Sequence, residues 1–476
     1  MSRTRARSLP PFLLCAALIA SGAGRAGAQV LVSSDVFKIP VTINRDDVKA
    51  IGMGNTQIAD GRVWNAMQYN PALLARERTT FDVVQVQASM PVASLDAFAF
   101  LRDNSDQFRT GDFYRNIDQG IKNYQAASGA HDAAGMVAAI HQINGGLSFT
   151  NQFQEKVLGP PDNPKTQGVM AVPDVAVQVG NIGVSLHASV RAALTGYAGP
   201  TLSALYALQL PDDLNTLTAD QVATLLDFAA LLIDPATGRP NYTNAIPQMY
   251  AVSYMDIVAT GGYGYTISPA LSVGANLKLL NRRVSTHVIN ADNYRSILTD
   301  LRSDFESSVT GVTLDLGGLY HLGSTGTDFG LTLQNVIPLP KSTSNAVFNT
   351  VAYDDQGNQV PVEVRVPVEF SVPFIMSAGA SQALTPHWDA SFEWVDIAAQ
   401  DVKHVNFGGR LRLGTEYRLD AIPDMLGIAL RGGVAERKLA GGVGLNLGRA
   451  LQIDAAYAWD NYVDDNAVFV SLRLGW

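Results

Sequence analysis

Ser185, His187 and Ser189 alternate along one short segment. A hydroxyl beside an imidazole is the pairing that nucleophilic catalysis uses. Side chains two residues apart share a strand face as a matter of course, however, and no third partner can be named from the sequence. Asp354, Asp355, Gln356, Gly357 and Asn358 form an acidic turn. They lack the twelve-residue spacing and closing glutamate of a calcium loop, so a hairpin turn is the simpler reading. Cys15 is the single cysteine, and it lies in an apolar N-terminal run. No thiolate metal site or disulfide can therefore be built from the rest of the chain. No glycine-rich loop follows a strand and opens a helix, so nucleotide binding has no support. The chain reads as a non-enzyme with no cofactor, no metal site and no catalytic residues.

The elements that position the remaining candidates explain this absence. Arg3, Arg5 and Arg7, the apolar run 12–20 and the small residues Ala26-Gly27-Ala28 have the form of a signal peptide over residues 1–28. Removing it takes away four arginines and no acid. That leaves 30 basic and 43 acidic residues, a net charge of −13. An acidic chain has no footprint for nucleic acid. Charged residues make up 16% of the sequence, against about 25% in ordinary soluble domains. Beyond the signal no uninterrupted apolar stretch reaches helical-span length.

Fourteen runs alternate with period two, at 81–88, 169–180, 182–194, 250–267, 270–284, 309–320, 328–336, 368–380, 387–396, 405–418, 424–435, 441–448, 451–460 and 467–476. In the last, Val468, Val470, Leu472, Leu474 and Trp476 share one face, and Phe469, Ser471, Arg473 and Gly475 share the other. In 405–418 the alternation has one defect, Gly409. About ten such residues cross a bilayer when tilted. A soluble sandwich also alternates, but an apolar outside over a Gly-, Ser- and charge-rich inside suits lipid without and a wet lumen within. The expectation is an all-β fold, a transmembrane barrel of about fourteen antiparallel strands over 81–476. Short turns at 180–181, 267–269, 323–326, 385–387 and 448–450 should lie at one end. Long loops at 89–168, 195–249, 285–308 and 337–367 should lie at the other.

Three long loops carry helical spacing, at 112–142, 218–233 and 293–305. Thr218 and Gln221 have the spacing of a capping box. Leu225, Leu226, Phe228 and Leu232 follow it and would line a rim helix. Such helices pack on one another or on the barrel mouth, or they form a vestibule for an apolar ligand.

Residues 29–80 precede the regular strands. Gly52, Gly54 and Gly61 permit close backbone approach, and Asn70-Pro71 has the form of an Asx turn that feeds the first strand. Together with Ala59-Asp60 and Asn70-Pro71-Ala72, this segment resembles the FadL-type outer-membrane superfamily. That superfamily contains hydrocarbon transporters, PorV-type secretion proteins and TraF-type proteins named for conjugal transfer. The resemblance implies that 29–80 is a hatch folded inside the barrel and that the chain resides in the cell outer membrane. The terminal aromatic likewise looks like the signal that barrel assembly machinery reads.

Lys278, Arg410, Arg412, Arg418, Arg431 and Arg473 face inward with Asp174, Asp315, Glu369, Asp389, Glu393, Glu416 and Asp454. Charges away from bulk water are paired, so these are expected to lock the hatch, with a selectivity filter as the alternative. Pro173 and Pro373 sit mid-strand, where a missing donor predicts a bulge or break in the wall. FadL-like transporters are thought to release apolar ligands sideways through such a strand. The expected function is passive uptake of small hydrophobic molecules. Val30, Leu31, Val32 and Phe37, with the rim leucines, would form the pocket and gate. The alternative is a scaffold or shuttle for secretion or conjugation machinery. Expected partners are membrane lipid, the assembly machinery, and a hydrophobic ligand or a secretion partner.

Overall fold

The computed structural model describes residues 47–59, 63–76, 78–104, 106, 112–159, 165–197, 208–211, 213, 216–218, 220–225, 248–289, 307–353, 359–372, 374–397, 410–423, 425–448, 450–460 and 465–475. Its wall is a closed barrel of fourteen antiparallel strands. They are β1 (Arg78–Pro91), β2 (Thr166–Gly180), β3 (Ile182–Tyr197), β4 (Gln248–Ser268), β5 (Leu271–Ile289), β6 (Ser307–Leu322) and β7 (Thr327–Gln334). After a detour come β10 (Ile375–Thr385), β11 (Trp388–Trp394), β12 (Leu411–Ile422), β13 (Leu426–Ala435), β14 (Lys438–Leu447), β15 (Leu451–Asp460) and β16 (Asp465–Gly475). Closure joins β1 to β16 over Asp82–Pro91 and Ala467–Gly475. The detour is a two-stranded ribbon, β8 (Leu339–Tyr353) and β9 (Gln359–Val372).

Alternation decides the faces. On β3, Val184 and Leu186 are 59% and 52% exposed, while Ser185 and His187 between them are buried. Outward apolar residues at similar exposure run around the wall, including Leu277, Leu413, Val443 and Leu472. A belt this continuous is far larger than a soluble surface tolerates, so hydrocarbon covers it. On β5 the apolar outward row runs from Leu271 to Leu279, and Asn281 and Arg283 follow it, hydrogen-bonded to each other. Those nine residues match a tilted membrane-spanning strand. Tyr263, Tyr265, Tyr320, Trp388 and Tyr417 crowd the short-turn boundary. At the other boundary the Lys438 ammonium lies 3.7 Å from the Trp459 ring centroid. The 21 residues of β4 exceed the membrane requirement, so the β3–β6 side stands proud at the long-loop end.

Two sequence expectations need correction. Residues 368–380 are not one wall strand. The chain leaves the ribbon after Val372 and starts β10 at Ile375, so Glu369 belongs to the ribbon. Phe374 belongs to neither strand, and Pro373 lies outside the described residues. Residues 337–367, expected as a loop, are mostly that ribbon. In the expected run 405–418 the described part of the strand begins at Leu411, and Gly409 lies outside it.

Candidate functional site

The lumen holds residues 47–59 and 63–76. They comprise α1 (Val48–Gly52), α2 (Val63–Gln68) and a 3₁₀ turn, Pro71–Ala75. Asp47 caps α1 by accepting from Lys49 N. Asn70 caps the 3₁₀ turn through Ala72 N at 3.0 Å, and Pro71 supplies the first helical φ. Gly54 and Asn55 both take left-handed φ, 65° and 63°, which turns the chain sharply after α1. Nearly every residue of 47–59 and 66–76 is buried, down to 0% exposure for Tyr69, Asn70 and Leu74.

The wall is cut to fit this segment. A Cβ on Gly330 would lie 2.7 Å from Ile58 O. One on Gly317 would lie 2.9 Å from Ala72 N, and one on Gly183 2.8 Å from Met67 Sδ. Gly264 and Gly274 face Ala75 and Pro71, Gly414 and Gly433 face Met53, and Gly442 faces Gly52. The inward glycines therefore do not line a wet channel at this height. They let the wall approach the hatch backbone, and that corrects the sequence expectation.

Polar side chains bolt the same segment around the circumference. Gln87 accepts from Val48 N, and Gln178 donates to Leu74 O at 3.0 Å. Asn276 donates to Ala66 O and Met67 O, and Gln334 to Gln68 O at 2.8 Å. Glu393 accepts from both Gln57 N and Ile58 N. Ser391 pairs with Thr56, Arg412 donates to Asn55 O, and Asn70 donates to Gly318 O. Lys49 lies 3.3 Å from Glu416, and Arg76 pairs with Asp328. Of the expected lock residues, Glu393, Glu416 and Arg412 touch the hatch. Others pair wall to wall. Arg431 bridges Glu416 and Asp454 at 2.6 Å each, Arg473 meets Asp82 at 2.6 Å, and Lys278 meets Asp315. Arg418 pairs with Asp389, and Arg410 donates to Asp396 O at the rim.

Above the hatch the lumen differs from side to side. Against α1, the inward faces of β2, β15 and β16 carry an apolar cluster of Met170, Val172, Ala456, Ala458, Ala467 and Phe469 with Val48 and Ile51. The wall is irregular beside it. The β2–β3 ladder pairs Ala171 with Val190 and Asp174 with His187, and Val172 and Pro173 make no rung between them. Pro173 points outward. Next to it, β1 bulges at Val83–Val84 opposite Val175, so both valines face lipid while Asp82 and Gln85 both face in. Round the wall beyond β2, β3–β6 present His187, Asp256, Lys278, Arg282 and Asp315, all buried. Arg282 forks onto both oxygens of Asp256 at 2.7 Å. The ribbon base enters here, with Leu339 and Val372 on Val258 and Leu280.

His187 Nδ1 lies 2.5 Å from Asp174 Oδ1, and Gln87 donates to the other oxygen of Asp174. The sequence could not supply this partner, because it comes from the neighbouring strand. His187 is 1% exposed within a chain of contacts that runs through Asp174 and Gln87 to hatch Val48 N.

At the rim, α3 (Val92–Asp103) is followed by a hairpin of α4 (Asp112–Gly129) and α5 (Ala133–Phe153), then a π turn, Gln154–Leu158. Ile117 and Ile121 of α4 are buried with Ile140 and Ile143 of α5, and Phe100 meets Phe149 and Phe153 at centroid distances of 5.5 and 6.4 Å. Thr218 and Gln221 form the reciprocal capping box, at 3.0 and 3.2 Å. Leu225 is buried near it. Leu226, Phe228, Leu232, Val30, Leu31, Val32, Phe37, the signal segment and the helical pattern at 293–305 lie outside the described residues. The amide bolts Gln87, Gln178, Asn276 and Gln334 escaped the sequence reading. Their signal was an uncharged amide at inward parity, and it is shared by many surface positions.

The family model described as F plasmid transfer operon, TraF, protein matches residues 67–371. No curated protein matches the chain. Among solved structures, the Pseudomonas putida toluene transporter TodX is 10% identical at a TM-score of 0.44, covering 92% of this chain and 98% of that one. The CymD monoaromatic hydrocarbon channel is 12% identical at 0.43, covering 91% and 97%. A Pseudomonas aeruginosa FadL homologue is 10% identical at 0.39, covering 92% and 99%.

Proposed function

The chain belongs to the family of the F plasmid transfer operon TraF protein, and we propose that it is an outer-membrane barrel of FadL-like type that passes small hydrophobic molecules passively. The observation that carries this reading is the missing β2–β3 rung at Val172–Pro173, directly outside the apolar lumen cluster to which Val172 belongs. A ligand would collect at the rim, occupy the apolar sector above α1 and leave sideways into the bilayer. The hatch stays seated in this scheme. Roughly a dozen wall-to-hatch contacts at about 1 kcal/mol each make its wholesale removal cost on the order of 10 kcal/mol. Lifting it would therefore be a one-in-ten-million event. Pro173 then serves as the wall defect, and Gly52, Gly54, Asn70 and Pro71 keep the hatch in place.

A disulfide across the gap tests the exit. Val172 and Ser189 face inward on the register shared by the flanking rungs, so V172C/S189C closes the ladder with a bond of ordinary span. Proteoliposomes carrying the oxidised variant should lose uptake of a small aromatic hydrocarbon and regain it on reduction. Equal uptake in both states removes the lateral path.

The second reading is a non-conducting scaffold for transfer or secretion machinery. The matched family's description and a lumen filled at hatch level favour it. Native mass spectrometry of gently extracted protein separates the two. A lipid-like adduct supports passage, and a stoichiometric protein partner supports scaffolding.

A further inference from the structure

One rung of the inner wall, Thr260–Lys278–Thr313, crosses β4, β5 and β6 with all three side chains at 2% exposure or less. It lies between two seals. Towards the short-turn end, Asn276 holds the hatch at Ala66 and Met67. Towards the long-loop end, Leu339 and Val372 of the ribbon base close on Val258 and Leu280. Within this layer Lys278 pairs with one oxygen of Asp315, whose other oxygen accepts from Asn335 N at 2.9 Å.

The polar capacity of the layer is not exhausted by those bonds. An ammonium carries three donors. Thr260 Oγ1 and Thr313 Oγ1 are buried and have no hydrogen-bond partner among the described residues. Buried hydroxyls in native proteins are almost always satisfied. A small group between a threonine hydroxyl and Lys278 would accept from the ammonium and exchange a hydrogen bond with the hydroxyl. It must be uncharged, since Lys278 and Asp315 already neutralise each other. It must be small, since packed side chains bound the layer at both ends. The two threonines stand on opposite sides of β5, each about 5 Å from it, so one molecule cannot serve both.

We propose that this rung is an internal hydration site holding two water molecules, one on each flank of Lys278. The site fixes a wet, charged layer across the β4–β6 side of the lumen. If the passage reading above holds, that layer confines apolar traffic to the β2 and β15–β16 side. The site itself does not depend on that reading.

Thr260→Val and Thr313→Val test it by the sign of their effect. Each valine keeps the shape and removes the hydroxyl. With a water in place, each variant should lower the heat-unfolding midpoint, and the double variant should fall by the sum. If the hydroxyls are unpaired, valine relieves a buried polar group and the midpoint rises. A rise or no change overturns the proposal. Should the variants fail to fold, a crystal structure of the unaltered protein grown without glycerol or other small alcohols decides. Single-atom density within hydrogen-bond reach of Lys278 Nζ and each threonine Oγ1 is expected. Empty space there, or elongated density, refutes it.

Discussion

Replacing Glu393 with glutamine should loosen the hatch in a way that can be measured residue by residue. One carboxylate oxygen of Glu393 accepts from both Gln57 N and Ile58 N, and the side chain is 1% exposed. Hydrogen bonds to a charged group contribute about 1.5–3 kcal/mol, against about 0.5–1.5 for neutral pairs. Glutamine retains an acceptor of the same shape, so each bond weakens by about 1–1.5 kcal/mol, and the two together by about 2–3 kcal/mol. At 1.4 kcal/mol per decade, the open population of this segment rises roughly 30- to 150-fold. Hydrogen exchange at the Gln57 and Ile58 amides, read in the intact detergent-solubilised protein, should lose protection by that factor. Val48 N, bonded to Gln87 on the far side of the lumen, separates two modes of opening. If the hatch moves as one body, Val48 loses protection equally. If only the 53–58 segment frays, Val48 is unchanged. Unaltered protection at Gln57 and Ile58 would show that the carboxylate does not hold the hatch, and the locking argument would fail.

Asn70→Ala removes buried bonds to Ala72 N and Ile58 O and a half-buried bond to Gly318 O. A loss of about 2–4 kcal/mol is expected as a lower heat-unfolding midpoint, and Asn70→Asp, which keeps the cap acceptor but turns a buried carboxylate oxygen onto the Ile58 and Gly318 carbonyls, should lose at least as much. Neighbouring glycines give a matched pair. A Cβ on Gly433 would sit 2.8 Å from Leu413 O and press on Met53 and Gly54, whereas one on Gly432 meets nothing nearer than 3.9 Å. Gly433→Ala should expose the hatch to added protease, and Gly432→Ala should leave the cleavage pattern unchanged.

How much of this was legible beforehand follows from the range of each signal. Period-two alternation is local, and it located all fourteen wall strands. It failed at 368–380, where the alternation continued through Val372 while the chain left the ribbon. Nothing in a two-residue repeat states which strand pairs with which. The capping box at Thr218 and Gln221 and the Asx turn at Asn70 were readable because both bonds close within three residues. The Val83–Val84 doublet interrupts the pattern of β1, yet only its pairing with β2 shows it to be a bulge.

The sequence by itself determined the class of solvent on each face, because side chains on a pleated strand must alternate and an unbroken apolar row needs hydrocarbon. Tertiary structure alone decided what fills the inside. The partners there are hundreds of residues apart in the chain: Asn70 with Gly318, Gln57 with Glu393, and Gly52 with Gly442. A glycine that admits a hatch backbone and a glycine that lines open water are the same letter. Only closure of the barrel around the hatch distinguishes them, since only then does a missing Cβ have something to make room for.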